Sequence, residues 1–241
     1  MVGSMGIGLD GDFFEYNDPP ASKREIIATS ALLRLKAKIA LDFEERVRGR
    51  IRLVFGVRGS GKSTCLAYVL QIITANYPGS RFVEFNAGRY TSKMSAMAAP
   101  DAVEYFLSSL AETISQCKEK DINKVIDALA KSGKKHFLLI DNLDRLYAQD
   151  ADLELVQRLF QQADAVLKEL AKHLVIVVTA APEWAPVVKA NDLSYLNYEG
   201  RVVLEGMSID ELRQAVDARL ESRNLKRDAI FTNGFLNSMV V

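Results

Sequence analysis

The sequence predicts an α/β fold of three layers: a mainly parallel five-stranded sheet with helices covering both faces. Three observations carry that expectation. Short apolar runs alternate along the chain with longer segments of helical period. Two of the runs, His136 to Asp141 and Leu174 to Thr179, are nearly all apolar, as strands buried on both faces must be. A third, Ile51 to Phe55, ends in a glycine-rich turn that opens directly into a helical segment.

The elements follow in order. Residues 1–21 read as an N-terminal arm, rich in Gly, Asp and aromatic residues without periodicity as far as Pro19-Pro20, with residues 1–4 a cloning remnant before a second methionine. Residues 22–206 form the core. Ser22 to Arg48 is a long helix, broken at most once, with Ser22 at its cap and Ile26, Ile27, Leu32, Leu33, Leu35, Ile39, Leu41 and Phe43 at helical spacing. Ile51 to Phe55 is a strand and Lys62 to Ala75 the helix that follows it. Arg81 to Asn86 is a second strand, Asp101 to Cys117 and Asp121 to Lys131 are helices, and His136 to Asp141 is a third strand. Asp152 to Ala171 is helical, Leu174 to Thr179 is a strand, and Arg201 to Leu204 is a short final one. Helices between strands imply right-handed crossovers and therefore parallel pairing. In residues 207–241, Ser208-Ile-Asp-Glu211 is a capping box that starts a helix to about Arg223, the beginning of a short or incomplete helical lid.

Composition bounds the function classes. At 241 residues the chain holds one large domain, or a domain and a fragment, and two full domains would be a tight fit. Lys+Arg and Asp+Glu both number 31, so no overall field draws the chain to DNA or a membrane surface, and contact with DNA would need a local basic patch. Cys65 and Cys117 are far apart and belong to no metal-spaced pair, which makes a reducing, cytoplasmic setting the default. No apolar run is long enough to span a bilayer, and the N-terminus lacks the pattern of a secretory signal.

The chemistry is concentrated where the first strand meets its helix. Gly56-Val-Arg-Gly-Ser-Gly-Lys62-Ser63 fits the phosphate-loop pattern of two glycines with four residues between them followed by Lys and Ser. The glycines of such a loop (Gly56, Gly59, Gly61), together with Arg58 and Ser60, bring backbone N–H groups up to phosphates, and the helix behind offers its positive N-terminus to the same anion. Lys62 is expected at the β- and γ-phosphates of ATP or ADP, Ser63 on Mg²⁺, and Thr64 beside the α-phosphate. Asp141 is the first polar group after four apolar residues, so it emerges at the carboxyl end of its strand as a second ligand for Mg²⁺.

Catalysis is less determined. Asn142 follows Asp141, and an amide cannot accept a proton, so a general base must come from elsewhere or be weak. Asp144 is the nearest candidate and equally a partner for Arg145. Thr179, at the end of its strand, offers a hydroxyl to the γ-phosphate or a satisfied hydroxyl to the core. Arg58, Arg145, Arg158 and Arg201 are all candidates for a charge-stabilising finger. Slow, switch-like hydrolysis is the expectation.

Four stretches together resemble the AAA+/STAND branch of P-loop NTPases, and most closely the KAP type. They are Phe55-Gly-Val-Arg-Gly-Ser-Gly-Lys-Ser-Thr64, Val83-Glu-Phe-Asn-Ala87-Gly-Arg-Tyr90, Leu139-Ile-Asp-Asn-Leu-Asp-Arg145 and Val177-Val-Thr-Ala-Ala-Pro-Glu183. Arg201-Val-Val-Leu204 followed by Met207-Ser-Ile-Asp-Glu-Leu212 is similar to origin-recognition-type ATPases. The resemblance implies a nucleotide-driven switch or oligomeric ATPase acting on a macromolecule, with a protein partner or self-association. Two other readings stay open: a DNA-associated ATPase of the origin-recognition or transposition-regulating kind, and a scaffold that binds nucleotide without turnover.

Overall fold

Strands that bury both faces need cover on both, and the arrangement of helices in the computed structural model follows from that requirement. The structure describes residues 28–44, 51–94, 96–132, 136–142, 153–185 and 196–222. Strands β1 (Ile51–Phe55), β2 (Phe82–Asn86), β3 (His136–Asp141), β4 (Leu174–Ala180) and β5 (Leu196–Val203) form one sheet in the order β2-β3-β4-β1-β5. Each neighbouring pair is parallel. The helices are α1 (Ser30–Glu44), α2 (Lys62–Asn76), α3 (Thr91–Met94), α4 (Ala99–Ser115), α5 (Ile122–Ser132), α6 (Leu153–His173) and α7 (Ile209–Ser222).

Alternation along the strands separates two cores. Leu53 and Phe55 of β1, Phe85 of β2, Leu138 and Ile140 of β3, and Ile176 and Val178 of β4 pack with Phe106, Leu110, Val125, Leu167 and Leu170 from α4, α5 and α6. The intervening residues, Val54, Phe137, Leu139, Val175 and Val177, meet Leu35 and Ile39 of α1 and Cys65, Leu66, Val69 and Ile73 of α2. Asp141 and Thr179 continue this second series. Both therefore leave the sheet at its carboxyl end on the side of α2, the helix that begins in the phosphate loop.

Two contacts fix α1 to the sheet. Near its end, Phe43 stacks on Phe137 of β3 with ring centroids 5.4 Å apart and meets Tyr77, which follows α2, at 4.0 Å. The residue before it, Asp42, receives both the Nε and an Nη group of Arg52 in a buried bidentate ion pair. Arg52 is the second residue of β1, so this pair joins α1 to the strand that carries the phosphate loop.

The structure adjusts several expected boundaries. β5 begins at Leu196 rather than Arg201: its first residues pair with Ile51 and Arg52, and a register shift then brings Val202 and Val203 opposite Val54 and Phe55. Polar Asn197, Glu199 and Gly200 hide this strand from an apolar-run criterion. α4 starts at Ala99 with Pro100 in its first turn, where the missing N–H costs nothing, and it ends at Ser115 because Gln116 turns into the left-handed region at φ 54°. Neither α3 nor the 3₁₀ turn Ala87–Arg89 was expected from periodicity. The expected arm (1–21), the first residues of the expected long helix and residues 223–241 lie outside the described residues. Among the described residues, no helix is long and apolar enough to cross a membrane.

Candidate functional site

The phosphate loop is anchored at its base by both neighbouring strands. Gly56 N–H donates to the Ala180 carbonyl of β4 at 3.1 Å, and Leu204 N–H, just past β5, donates to the Phe55 carbonyl at 2.7 Å. The loop then closes a turn in which Ser60 N–H donates to the Val57 carbonyl at 3.1 Å. Gly59 and Gly61 stand at φ +85° and +86°, a conformation in which an L side chain is strained. Gly56 is needed for a different reason: a Cβ there would lie 2.1 Å from Ser60 Oγ and 3.2 Å from Leu204 Cβ.

Gly61 is also the residue that caps α2, and having no side chain it caps no N–H group. The first bond of the helix is Cys65 N–H to the Gly61 carbonyl at 2.8 Å, so the amides of Lys62, Ser63 and Thr64 precede the intrahelical ladder. An anion is the natural partner of such a turn. Ser60 Oγ is buried at the loop with no hydrogen-bond partner among the described residues. The Lys62 ammonium is held against the loop by the carbonyls of Gly56 at 2.8 Å and Val57 at 3.2 Å.

The acidic strand end meets this loop directly. Ser63 Oγ donates to Asp141 Oδ2 at 2.9 Å. Thr179 Oγ1 donates to Asp141 Oδ1 at 2.5 Å, and the Asn142 N–H reaches the same oxygen at 2.9 Å. Three elements that are distant in sequence thus converge on one carboxylate. A serine hydroxyl and a carboxylate at this separation fit Mg²⁺, which takes one or two protein oxygens and completes its octahedron with phosphate oxygens and water.

Asn142 has a structural as well as a chemical signature. Its φ of 57° is left-handed, where Asn is tolerated better than most residues. Its side-chain amide donates to Asn86 Oδ1 and to Asp141 Oδ2, each at 3.3 Å. Asn86 ends β2 opposite Asp141 and also accepts from Gly88 N–H at 3.0 Å. Sequence reasoning did not single out Asn86. The available signal was its position, a polar residue closing a strand beside the one that ends in Asp141.

Of the expected site residues, the structure brings together Gly56, Gly59, Ser60, Gly61, Lys62, Ser63, Asp141 and Thr179. Thr64 is half-buried in the first turn of α2, and Arg58 is exposed at the tip of the loop. Arg201 is half-buried in β5. Asp144 and Arg145, and the side chain of Arg158, lie outside the described residues.

Cys65, one turn into α2, is a core residue. Burial, with a lesser contribution from the charge of Asp141, pushes its thiol up to about 12. Cys117 is exposed. A thiol reagent at pH 8 is therefore expected to modify Cys117 promptly and Cys65 only on unfolding. Counting modified thiols in native and denatured protein checks this, and two fast thiols in the native protein would contradict the packing described.

A search of the curated proteins finds no match. Among solved structures, the ORC1 protein of Aeropyrum pernix in complex with DNA is similar over 82% of this chain and 50% of its own, at 14% identity and a TM-score of 0.56. Cdc6p of Pyrobaculum aerophilum is similar over 86% of this chain and 52% of its own, at 17% identity and a TM-score of 0.52. AMPPCP-bound DnaA of Aquifex aeolicus is similar over 89% and 58%, at 14% identity and a TM-score of 0.51. The chain spans about half the length of these proteins, and the likeness establishes a shared fold. A family model for an ATPase domain predominantly from Archaea matches residues 40–187, which run from the end of α1 through the phosphate loop, Asp141 and Thr179 to just beyond β4. With well over half of its length matched, the chain belongs to this family of ATPase domains with the P-loop fold.

Proposed function

We propose that the protein binds ATP with Mg²⁺ at the phosphate loop, hydrolyses it slowly, and uses the nucleotide state as a switch or oligomeric motor on a macromolecular partner. The observation that carries the reading is the Ser63–Asp141–Thr179 cluster beside a glycine-rich loop that leads into a helix with no side-chain cap on its first-turn amides. Lys62 and the loop amides bind the phosphates, Ser63 and Asp141 hold the metal, and Thr179 keeps the carboxylate oriented. Held by Ser63 and Asp141, Mg²⁺ would supply neutralisation of the phosphate charge.

Slow turnover follows from position 142. Asn142 occupies the place beside Asp141 with an amide that is already committed to Asn86 and Asp141, and an amide is no proton acceptor. Asn142→Glu is expected to raise kcat about ten-fold or more, since a positioned general base contributes typically 10²–10⁴. The same substitution puts a residue less suited than Asn at φ 57°, and a stability loss of about 1 kcal/mol accompanies it. A turnover unchanged by Asn142→Glu but abolished by Asp144→Ala would assign the base to Asp144 instead.

A DNA-associated role is the second reading. The fold is shared with an ORC1 protein solved in complex with DNA, which supports the reading, although this chain has no net charge and would need a local basic patch. Turnover measured against protein concentration, with and without duplex DNA, separates the alternatives. A rise with concentration supports a site completed by a neighbouring copy, stimulation by DNA supports the second reading, and absence of turnover in all conditions supports a non-hydrolysing scaffold.

A further inference from the structure

The capping box that starts α7 has a second acceptor function. Within the box, Glu211 N–H donates to Ser208 Oγ at 3.2 Å, and Glu211 Oε2 accepts from Ser208 N–H at 2.9 Å. That reciprocal pair needs only one carboxylate oxygen. The other, Oε1, accepts from Ser30 N–H at 3.0 Å. Ser30 is the first residue of α1, 181 positions away in sequence. A single carboxylate thus satisfies orphan donors at the amino ends of two helices, and its negative charge faces the positive end of each dipole.

The surroundings make this contact consequential. α7 hangs from the sheet by residues 205–208, all of them exposed, beginning just after Leu204, which is bonded to the base of the phosphate loop. Gly206 in that linker has open space around it. Ala215, Val216 and Leu220 bury the later turns of α7, whereas its first turn is fixed by Ser208 and Glu211. The first turn of α1 has no acidic residue of its own, and its local cap is the long bond from Leu32 N–H to Thr29 Oγ1 at 3.4 Å. At its other end, α1 holds Arg52 of β1 through Asp42.

We propose that Glu211 is a latch that makes the docking of α7 and the first turn of α1 form and release together, tying α7 to the element that braces the phosphate-loop strand. The contact is a conformational device, independent of which nucleotide or partner the protein takes.

A double-mutant cycle tests it. Ser30→Pro removes the donor while leaving α1 intact, because proline is well tolerated at the first position of a helix. Glu211→Ala removes the acceptor. Measured by chemical denaturation of the full chain, the two substitutions are expected to be non-additive by about five-fold in the unfolding equilibrium constant, since Ser30→Pro has little left to remove once Glu211 is gone. Hydrogen exchange gives the structural readout: Ser30→Pro alone is expected to accelerate exchange in the first turn of α7. Strict additivity, with the first turn of α7 unaffected by Ser30→Pro, would reduce Glu211 to an ordinary capping-box residue and overturn the proposal.

Discussion

Asp42→Ala is expected to destabilise the domain by about 3–5 kcal/mol, because it leaves the Arg52 guanidinium buried without its counter-ion. Both members of the pair are almost fully inaccessible, Arg52 at 7% and Asp42 at 3% relative exposure, so water cannot replace the lost carboxylate. At about 2–4 °C per kcal/mol for a chain of this size, the melting temperature falls by roughly 6–20 °C. Replacing both partners with apolar residues, as in Asp42→Leu with Arg52→Met, is expected to recover most of the loss, since the larger part of the penalty belongs to the uncompensated charge. Denaturant titration of the two variants checks both statements. A double variant as unstable as Asp42→Ala would show instead that the pair itself, rather than the orphaned charge, carries the stability.

Lys62→Ala is expected to weaken ATP binding by about two orders of magnitude, the usual cost of truncating one partner of a close charge pair. Its ammonium is held at the loop by the carbonyls of Gly56 and Val57, whereas Arg58 of the same loop is exposed. Stability should change little, because both bonds are to loop carbonyls and one is exposed. Titration with a fluorescent ATP analogue, alongside a melting curve without nucleotide, separates the two effects. Equal affinity in Lys62→Ala and the unmodified protein would place the phosphates somewhere other than this loop.

Much of this arrangement is legible in the sequence because single physical requirements dictate it. The phosphate loop needs glycine where φ is positive or space is lacking, so Gly56, Gly59 and Gly61 announce it. β3 and β4 read as strands because burial on both faces excludes polar residues until Asp141 and Thr179, and the same rule places those two at the carboxyl end of the sheet. The meeting of Ser63 with Asp141 follows once parallel order puts β3 and β1 on either side of β4.

What the sequence hid are features that depend on a partner distant along the chain. Arg52 in an otherwise apolar run gives no hint that Asp42 will neutralise it, since a separation of ten positions sets no geometry on its own. Asn142 reads as a missing base, and only the fold shows its amide tied to Asn86 of β2. The polar start of β5 is held by its ladder to β1, a tertiary constraint with no local signature. Glu211 is recognisable as half of a capping box, whereas its bond to Ser30 requires α7 to fold back to the start of α1.

The proposed site for a nucleotide phosphate and Mg²⁺ is tested most directly by equilibrium binding of ATP to the unmodified chain, by calorimetry with Mg²⁺ and again with chelator. Saturable binding of one ATP per chain that weakens at least ten-fold when Mg²⁺ is removed, and weakens likewise in Asp141→Ala with Mg²⁺ present, is the predicted result. No saturable binding at millimolar ATP, or binding indifferent to both Mg²⁺ and Asp141, would contradict it.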